Sequence, residues 1–191
     1  MAGAPAPMAL DPVAAVARLA GRPGRVLLHS ARDDDGCGRW SFVASDPEAT
    51  LEARGRHVTW RDAVGRVTDE REQSPLAALE SFAGTGSPSR SVEIAWDLSV
   101  TARSRPSPAA GPAAGPRPRL IGFVGYDVGR TIDALRGRGA VAPTSPAGDT
   151  IDLWFGRYSA VYRYDGTTGA GEVIGEPAAA ARLRALLSVP P

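Results

Sequence analysis

The stretch Val26-Leu-Leu-His-Ser-Ala-Arg-Asp-Asp-Asp-Gly-Cys-Gly-Arg-Trp-Ser-Phe42 runs from apolar to polar. It then passes through three aspartates and the lone cysteine, and ends on Arg39-Trp40-Ser41-Phe42. It has two readings: a metal or thiol centre, or two strands whose loop frames a pocket. A zinc centre needs three or four ligands at workable spacing. Cys37 has neither a C-x-x-C nor an H-x-x-x-H partner, and the second histidine, His57, falls in a different element. Three successive aspartates point in different directions and read as a solvated loop. A nucleophilic Cys37 would need a base to lower its pKa, and only His29 is within reach in sequence. The strand reading is favoured, because "RVLLHS" and "RWSFVAS" are rich in β-branched and aromatic residues.

Outward from these strands, the pattern alternates between short helices and strands. "DPVAAVARLAG" reads as a helix, with Asp11 as cap, Pro12 at its first position and Gly21 as its stop. Val13, Val16, Leu19 and Ala20 form its expected apolar face. "ATLEARGRHVTW" reads as a hairpin turning at Gly55. "SPLAALESFAG" reads as a second helix with Leu76, Leu79 and Phe82/Ala83 inward. "SVEIAWDLSV", 91–100, reads as a strand. Leu120 to Tyr126 is strand-like, with Gly122 and Gly125 marking a bulge or close backbone approach. From Asp127, the spacing of Val128, Ile132 and Leu135 predicts a helix. "FGRYSAVYRYDGTTGAGEVIG" reads as one strand, a glycine-rich turn and a return strand. "PAAAARLRALLS" reads as a last helix with Leu183, Leu186 and Leu187 inward. Strands outnumber helices and neighbours look hairpin-linked, so the expected class is α+β with a mainly antiparallel sheet.

The 191 residues suit one domain with a modest core, since much of the 43% hydrophobic content is alanine. Residues 1–9 read as a flexible tail and 10–191 as the domain. Residues 101–118 are expected to form a disordered insertion, because the stretch to Arg119 carries five prolines and nothing large to bury. The competing reading of that stretch is a domain boundary. All the basic residues are arginine and the net charge is only +1, which argues against a nucleic-acid binder. No apolar run reaches the roughly 18 residues of a membrane span, and no secretory signal is visible. A single cysteine fits a cytoplasmic location. G-x-G-x-x-G, G-K-[ST], G-x-S-x-G and H-E-x-x-H are all absent, so the motifs alone show no catalytic constellation.

The order of the pieces resembles the N-terminal domain of component I of the chorismate-amination enzymes, aminodeoxychorismate synthase and anthranilate synthase. "LLHS" (Leu27–Ser30) is similar to that family's LLES strand, "RWSF" (Arg39–Phe42) to its R-Y-S-F strand, and "SDP" (Ser45–Pro47) to its D-P. "SPLAAL", "GFVGYD" and "DLWFGRYSAVYRYD" resemble later family segments. "VGRTIDAL" looks more like the aminodeoxychorismate branch, on the route to 4-aminobenzoate and folate.

The resemblance implies a non-catalytic domain that packs on a chorismate-binding catalytic domain, served by a glutamine amidotransferase subunit. In the family, Mg²⁺ and the catalytic groups belong to that other domain, so no cofactor and no catalytic residue is expected in this chain. The resemblance also implies an effector pocket, with tryptophan as ligand, lined here by His29, Ser30, Arg39 and Ser41. His29 stands where the family has an acid, and Ser159 and Gly166 stand where it has Asp and His. The alternatives are the anthranilate branch and a free-standing small-molecule-binding or interaction module. Strand alternation puts residues 28 and 30 on one face and 29 on the other. His29 and Ser30 can therefore share a pocket only if regular strand geometry stops by Ser30.

Overall fold

The computed structural model describes residues 8–30, 38–84, 117–129 and 150–189. The expected strand at 91–100, most of the 101–118 insertion, the Asp33–Asp35/Cys37 loop and the helix beyond Gly129 lie outside them.

Two antiparallel sheets are built from nine strands among the described residues. They are β1 (Val26–Leu28), β2 (Trp40–Ala44), β3 (Ala49–Arg54), β4 (His57–Asp62), β5 (Val67–Glu72), β6 (Leu120–Val124), β7 (Leu153–Arg157), β8 (Ala160–Asp165) and β9 (Ala170–Gly175). One sheet has the order β1-β2-β8-β9, the other β5-β4-β3-β7-β6. Three helices accompany them: α1 (Pro12–Arg18), α2 (Pro75–Gly84) and α3 (Pro177–Ser188). The α+β class expected from the sequence is the class observed.

Helices α1 and α3 cover one face of the four-stranded sheet. Leu10, Ala15, Leu19, Val43, Tyr162, Leu183 and Leu187 form the core between them. Asp11 caps α1 as expected, its Oδ1 accepting from Val13 and Ala14 N–H at 2.8 and 3.2 Å. Such a cap contributes about 1 kcal/mol. The buried face of α1 differs from the expected one. Pro12, Ala15 and Leu19 are buried, whereas Val13 is 54% exposed and Ala20 is exposed. The helix ends at Arg18, so Ala20 already belongs to the turn.

Helix α2 covers the five-stranded sheet, where Ala78 and Phe82 meet Leu51, Ala53, Val58 and Leu153. Leu76 and Leu79 are partly buried there and Ala83 is exposed, so the inward stripe runs through Pro75, Ala78 and Phe82. The residue at the centre of the stripe, Ala78, is small and fully buried. Removing a core side chain such as Leu51 would cost about 2–5 kcal/mol.

Gly55 turns the β3–β4 hairpin at φ +57°, the left-handed region that favours glycine. Gly122 answers the close-approach reading: a Cβ there would lie 2.0 Å from the Trp154 carbonyl oxygen. Tyr126–Val128 form one 3-10 turn, and Val128 joins the α2 core.

Three further differences from the sequence reading have physical causes. "VTDERE" forms β5, an edge strand almost wholly exposed, so no apolar alternation marks it. Its charges suit an edge that must not recruit another strand. The expected single strand through "FGRYSAVYRYD" is two strands in different sheets, β7 and β8, broken at Tyr158-Ser159. Met8, placed in the flexible tail expected over 1–9, exchanges backbone hydrogen bonds with Gly171 at 2.7 and 2.8 Å, while residues 1–7 lie outside the described residues.

The chain changes sheets at Ser45–Glu48 and again at Tyr158-Ser159, and the two crossings lie side by side. Glu48 N–H donates to the Arg157 carbonyl at 2.8 Å, and the Tyr158 hydroxyl donates to the Gly24 carbonyl at 2.6 Å. Ala44, Ile121, Tyr158 and Val161 fill the space where the sheets meet.

Candidate functional site

Strand β1 stops at Leu28, two residues before Ser30, and β2 resumes at Trp40. The pairing Leu27↔Val43 and Leu28↔Phe42 sets the register, so Ser41 falls opposite the chain just as it leaves the strand. Regular geometry therefore ends where the shared use of His29 and Ser30 requires it. Ser41 is buried, and its Oγ accepts the Ser30 backbone N–H at 3.1 Å. The same oxygen lies 3.2 Å from His29 Nδ1. The structure thus brings His29, Ser30 and Ser41 together. Ser30 takes part through its backbone N–H.

Arg39 is engaged elsewhere. Its guanidinium donates to both carboxylate oxygens of Asp165, Nε to Oδ1 at 3.1 Å and Nη2 to Oδ2 at 2.8 Å. The Arg39 hydrogen bonds lower the Asp165 pKa, outweighing the opposing effect of burial. The Asp165 hydrogen bond in turn raises that of Arg39. Arg39 also stacks on Trp40, 4.5 Å from the ring centroid, and Arg163 lies 4.9 Å from the same ring. Trp40 and Ser41 point to opposite faces of β2 by strand alternation. The four residues thus form a His29–Ser30–Ser41 cluster and a separate Arg39–Asp165–Trp40 cluster.

A second concave feature was not anticipated from the sequence. A groove of about 260 Å³ opens at the double sheet crossing, lined by Arg22, Asp46, Glu48, Ser159, Arg182 and Leu183 among others. None of the four expected effector residues lines it. Arg22 grips Asp46 with two bonds, at 2.5 and 2.9 Å, and Ser45 Oγ donates to Asp46 at 2.6 Å. Partial burial works to raise the Asp46 pKa, but the hydrogen bonds from Arg22 and Ser45 prevail and hold it below the usual value. Asp46 also adopts φ 55°, uncommon for a non-glycine residue. The SDP triplet is therefore the folded crossing itself.

The two late departures from the family pattern have places too. Ser159 sits at the second crossing, its hydroxyl donating to Glu48. Gly166 N–H donates to the Arg39 carbonyl at 2.7 Å. Among the described residues, no group of three His, Cys, Asp or Glu side chains stands together to hold a metal ion. No helix among the described residues is long and apolar enough to cross a membrane.

These features define an α+β domain of two antiparallel sheets exchanging strands at a double crossing, with a polar cluster at the end of its first strand. Over 125 residues, 65% of this chain, the sequence is 29% identical to anthranilate synthase component 1 of Mycobacterium bovis, and equally so to that of Mycobacterium tuberculosis. The matched region is 21% of those proteins, so the chain spans about a fifth of the length of the curated relatives it matches. No protein-family model matches the chain. Among solved structures, the crystal structure of anthranilate synthase component I from Streptococcus pneumoniae aligns over 98% of this chain and 36% of that one. The identity is 22% and the TM-score 0.46.

Proposed function

We propose that this chain serves as the N-terminal, non-catalytic part of a chorismate-aminating component I, in the anthranilate branch. It packs on a chorismate-binding catalytic domain supplied with ammonia by a glutamine amidotransferase, and it contributes one wall of a small-molecule effector pocket. The observation that carries this reading is the 29% identity to anthranilate synthase component 1, over a region that is only a fifth of those relatives. Exposed apolar side chains support it. Phe123, Val124 and Tyr126, at the edge strand β6 and just beyond it, are 49%, 49% and 97% exposed. Large apolar side chains exposed at a sheet edge in this way favour a domain that another domain covers over a free-standing module.

The effector wall is the His29–Ser30–Ser41 cluster, placed where β1 opens into its loop. The aminodeoxychorismate branch is the second reading, favoured by "VGRTIDAL" at Val128–Leu135. A binding experiment tests the proposal. The chain is titrated against the portion of the Mycobacterium tuberculosis relative outside the matched region, with association followed by calorimetry. The proposal expects a saturable complex that replacing Phe123 and Tyr126 by Ser weakens. No association with the folded remainder would count against it.

A further inference from the structure

Ser41 is only 3% exposed, so its hydroxyl proton must find an acceptor inside the protein. One lone pair of its oxygen already receives the Ser30 N–H at 3.1 Å. Among the described residues, the acceptor within reach of the proton is His29 Nδ1, at 3.2 Å. A ring nitrogen that accepts carries no hydrogen, and a neutral imidazole then holds its single hydrogen on the other nitrogen. If the ring is doubly protonated, that other nitrogen carries a hydrogen as well. In both protonation states Nε2 of His29 is therefore a hydrogen-bond donor, on a side chain exposed to solvent.

We infer that the His29 position takes the carboxylate end of a small ligand and rejects an ammonium. This rests on the proposed reading of the His29–Ser30–Ser41 cluster as an effector wall, and it names the ligand class of that wall. An ammonium offers only donors and would meet the donor Nε2 head-on, whereas a carboxylate offers only acceptors. Ser41 is the positioning residue. It touches no ligand from its buried place, but it fixes which ring nitrogen is left to do so. Ser30 contributes by donating its N–H to one of the two Ser41 lone pairs, which helps turn the hydroxyl proton towards Nδ1.

The test uses the full chain, ¹⁵N-labelled, in a His57→Gln background so that a single imidazole is observed. Long-range proton–nitrogen spectra read the hydrogen on each ring nitrogen of the neutral side chain. The same sample is titrated with indole-3-propionate, which has a carboxylate and no amine, and with tryptamine, which has the amine alone. The expected result is a neutral ring protonated at Nε2, with indole-3-propionate shifting its signals at concentrations roughly tenfold below those tryptamine needs. His29→Glu should reverse that order. A ring protonated at Nδ1, equal or stronger binding of tryptamine, or no response to either probe would each overturn the inference. Failure of the broader domain reading shows up separately, as lost association with the catalytic portion while the probe titration still succeeds.

Discussion

Both carboxylate oxygens of Asp165 are held by Arg39, at 3.1 and 2.8 Å, across the β2–β8 pair. The two residues are 126 positions apart in sequence, and their contact ties the residue just before β2 to the end of β8. It also withdraws Arg39 from the cluster formed by His29 and Ser41.

Asp165→Asn should lower the melting temperature at neutral pH, with a distinctive pH signature. The folded-state pKa of Asp165 is depressed, so its contribution is present above the ordinary value of 3.8 and is lost as pH falls through the lower folded value. Melting curves of parent and variant should differ at pH 7 and converge in acid. A constant gap down to pH 2 would show that the carboxylate charge is not the cause.

The alkaline limb belongs to the buried tyrosines. Burial is the main cause that pushes the Tyr162 hydroxyl from 10.0 to about 12, and it raises Tyr158 further. A raised folded pKa means stability that is complete below about 10 and is lost as pH rises through the folded value. Tyr162→Phe removes the donor to the Leu10 carbonyl, 2.5 Å away, and should cost about 1–3 kcal/mol at neutral pH. Its stability should then fall less steeply than the parent's between pH 10 and 12. Denaturant titrations at pH 7, 10 and 11.5 measure both effects, and parallel losses in the two proteins would contradict the assignment.

Most elements were legible because local chemistry and burial agree in them. Asp11 with Pro12 announces α1, Gly55 the β3–β4 turn, and alternation from Leu51 to Trp60 the hairpin. What was not legible depends on partners remote in sequence. Nothing in "FGRYSAVYRYD" tells that Tyr158 stops one strand and that Ala160 starts another in a second sheet. That break is made by contacts with Gly24 and Glu48, more than 100 residues away. The exposed β5 has no buried face to leave a pattern. At the candidate site, the end of β1 near Ser30 followed from strand alternation once the family resemblance put His29 and Ser30 in one pocket. The diversion of Arg39 to Asp165 did not, because cross-strand register between β2 and β8 is set only on folding.

The proline-rich stretch 101–116 should be dispensable for stability. Its composition opposes sheet pairing, and the deletion spares Arg117, whose guanidinium reaches the Ser159 carbonyl at 3.4 Å. Deleting 101–116 with a short glycine-serine bridge should shift unfolding by less than about 1–2 kcal/mol. A larger loss in a thermal or urea melt would show that the stretch packs.

His29→Glu should strengthen tryptophan binding in a chimera that carries the catalytic portion. A carboxylate replaces the donor Nε2 that turns the ligand's ammonium away, a gain on the order of 1.5–3 kcal/mol for a desolvated charge-assisted bond. Calorimetric titration of tryptophan into parent and variant chimeras gives the comparison. Equal affinities would remove His29 from the effector wall.

The central claim is that this chain works as the N-terminal part of a chorismate-aminating component I. Its most direct test replaces the matched region of the Mycobacterium tuberculosis relative with this chain and measures anthranilate fluorescence from chorismate, Mg²⁺ and ammonium. The account predicts product from the chimera and none above the no-enzyme control from this chain alone. Turnover by the isolated chain, or a folded chimera that stays inactive beside an active parent, would contradict it.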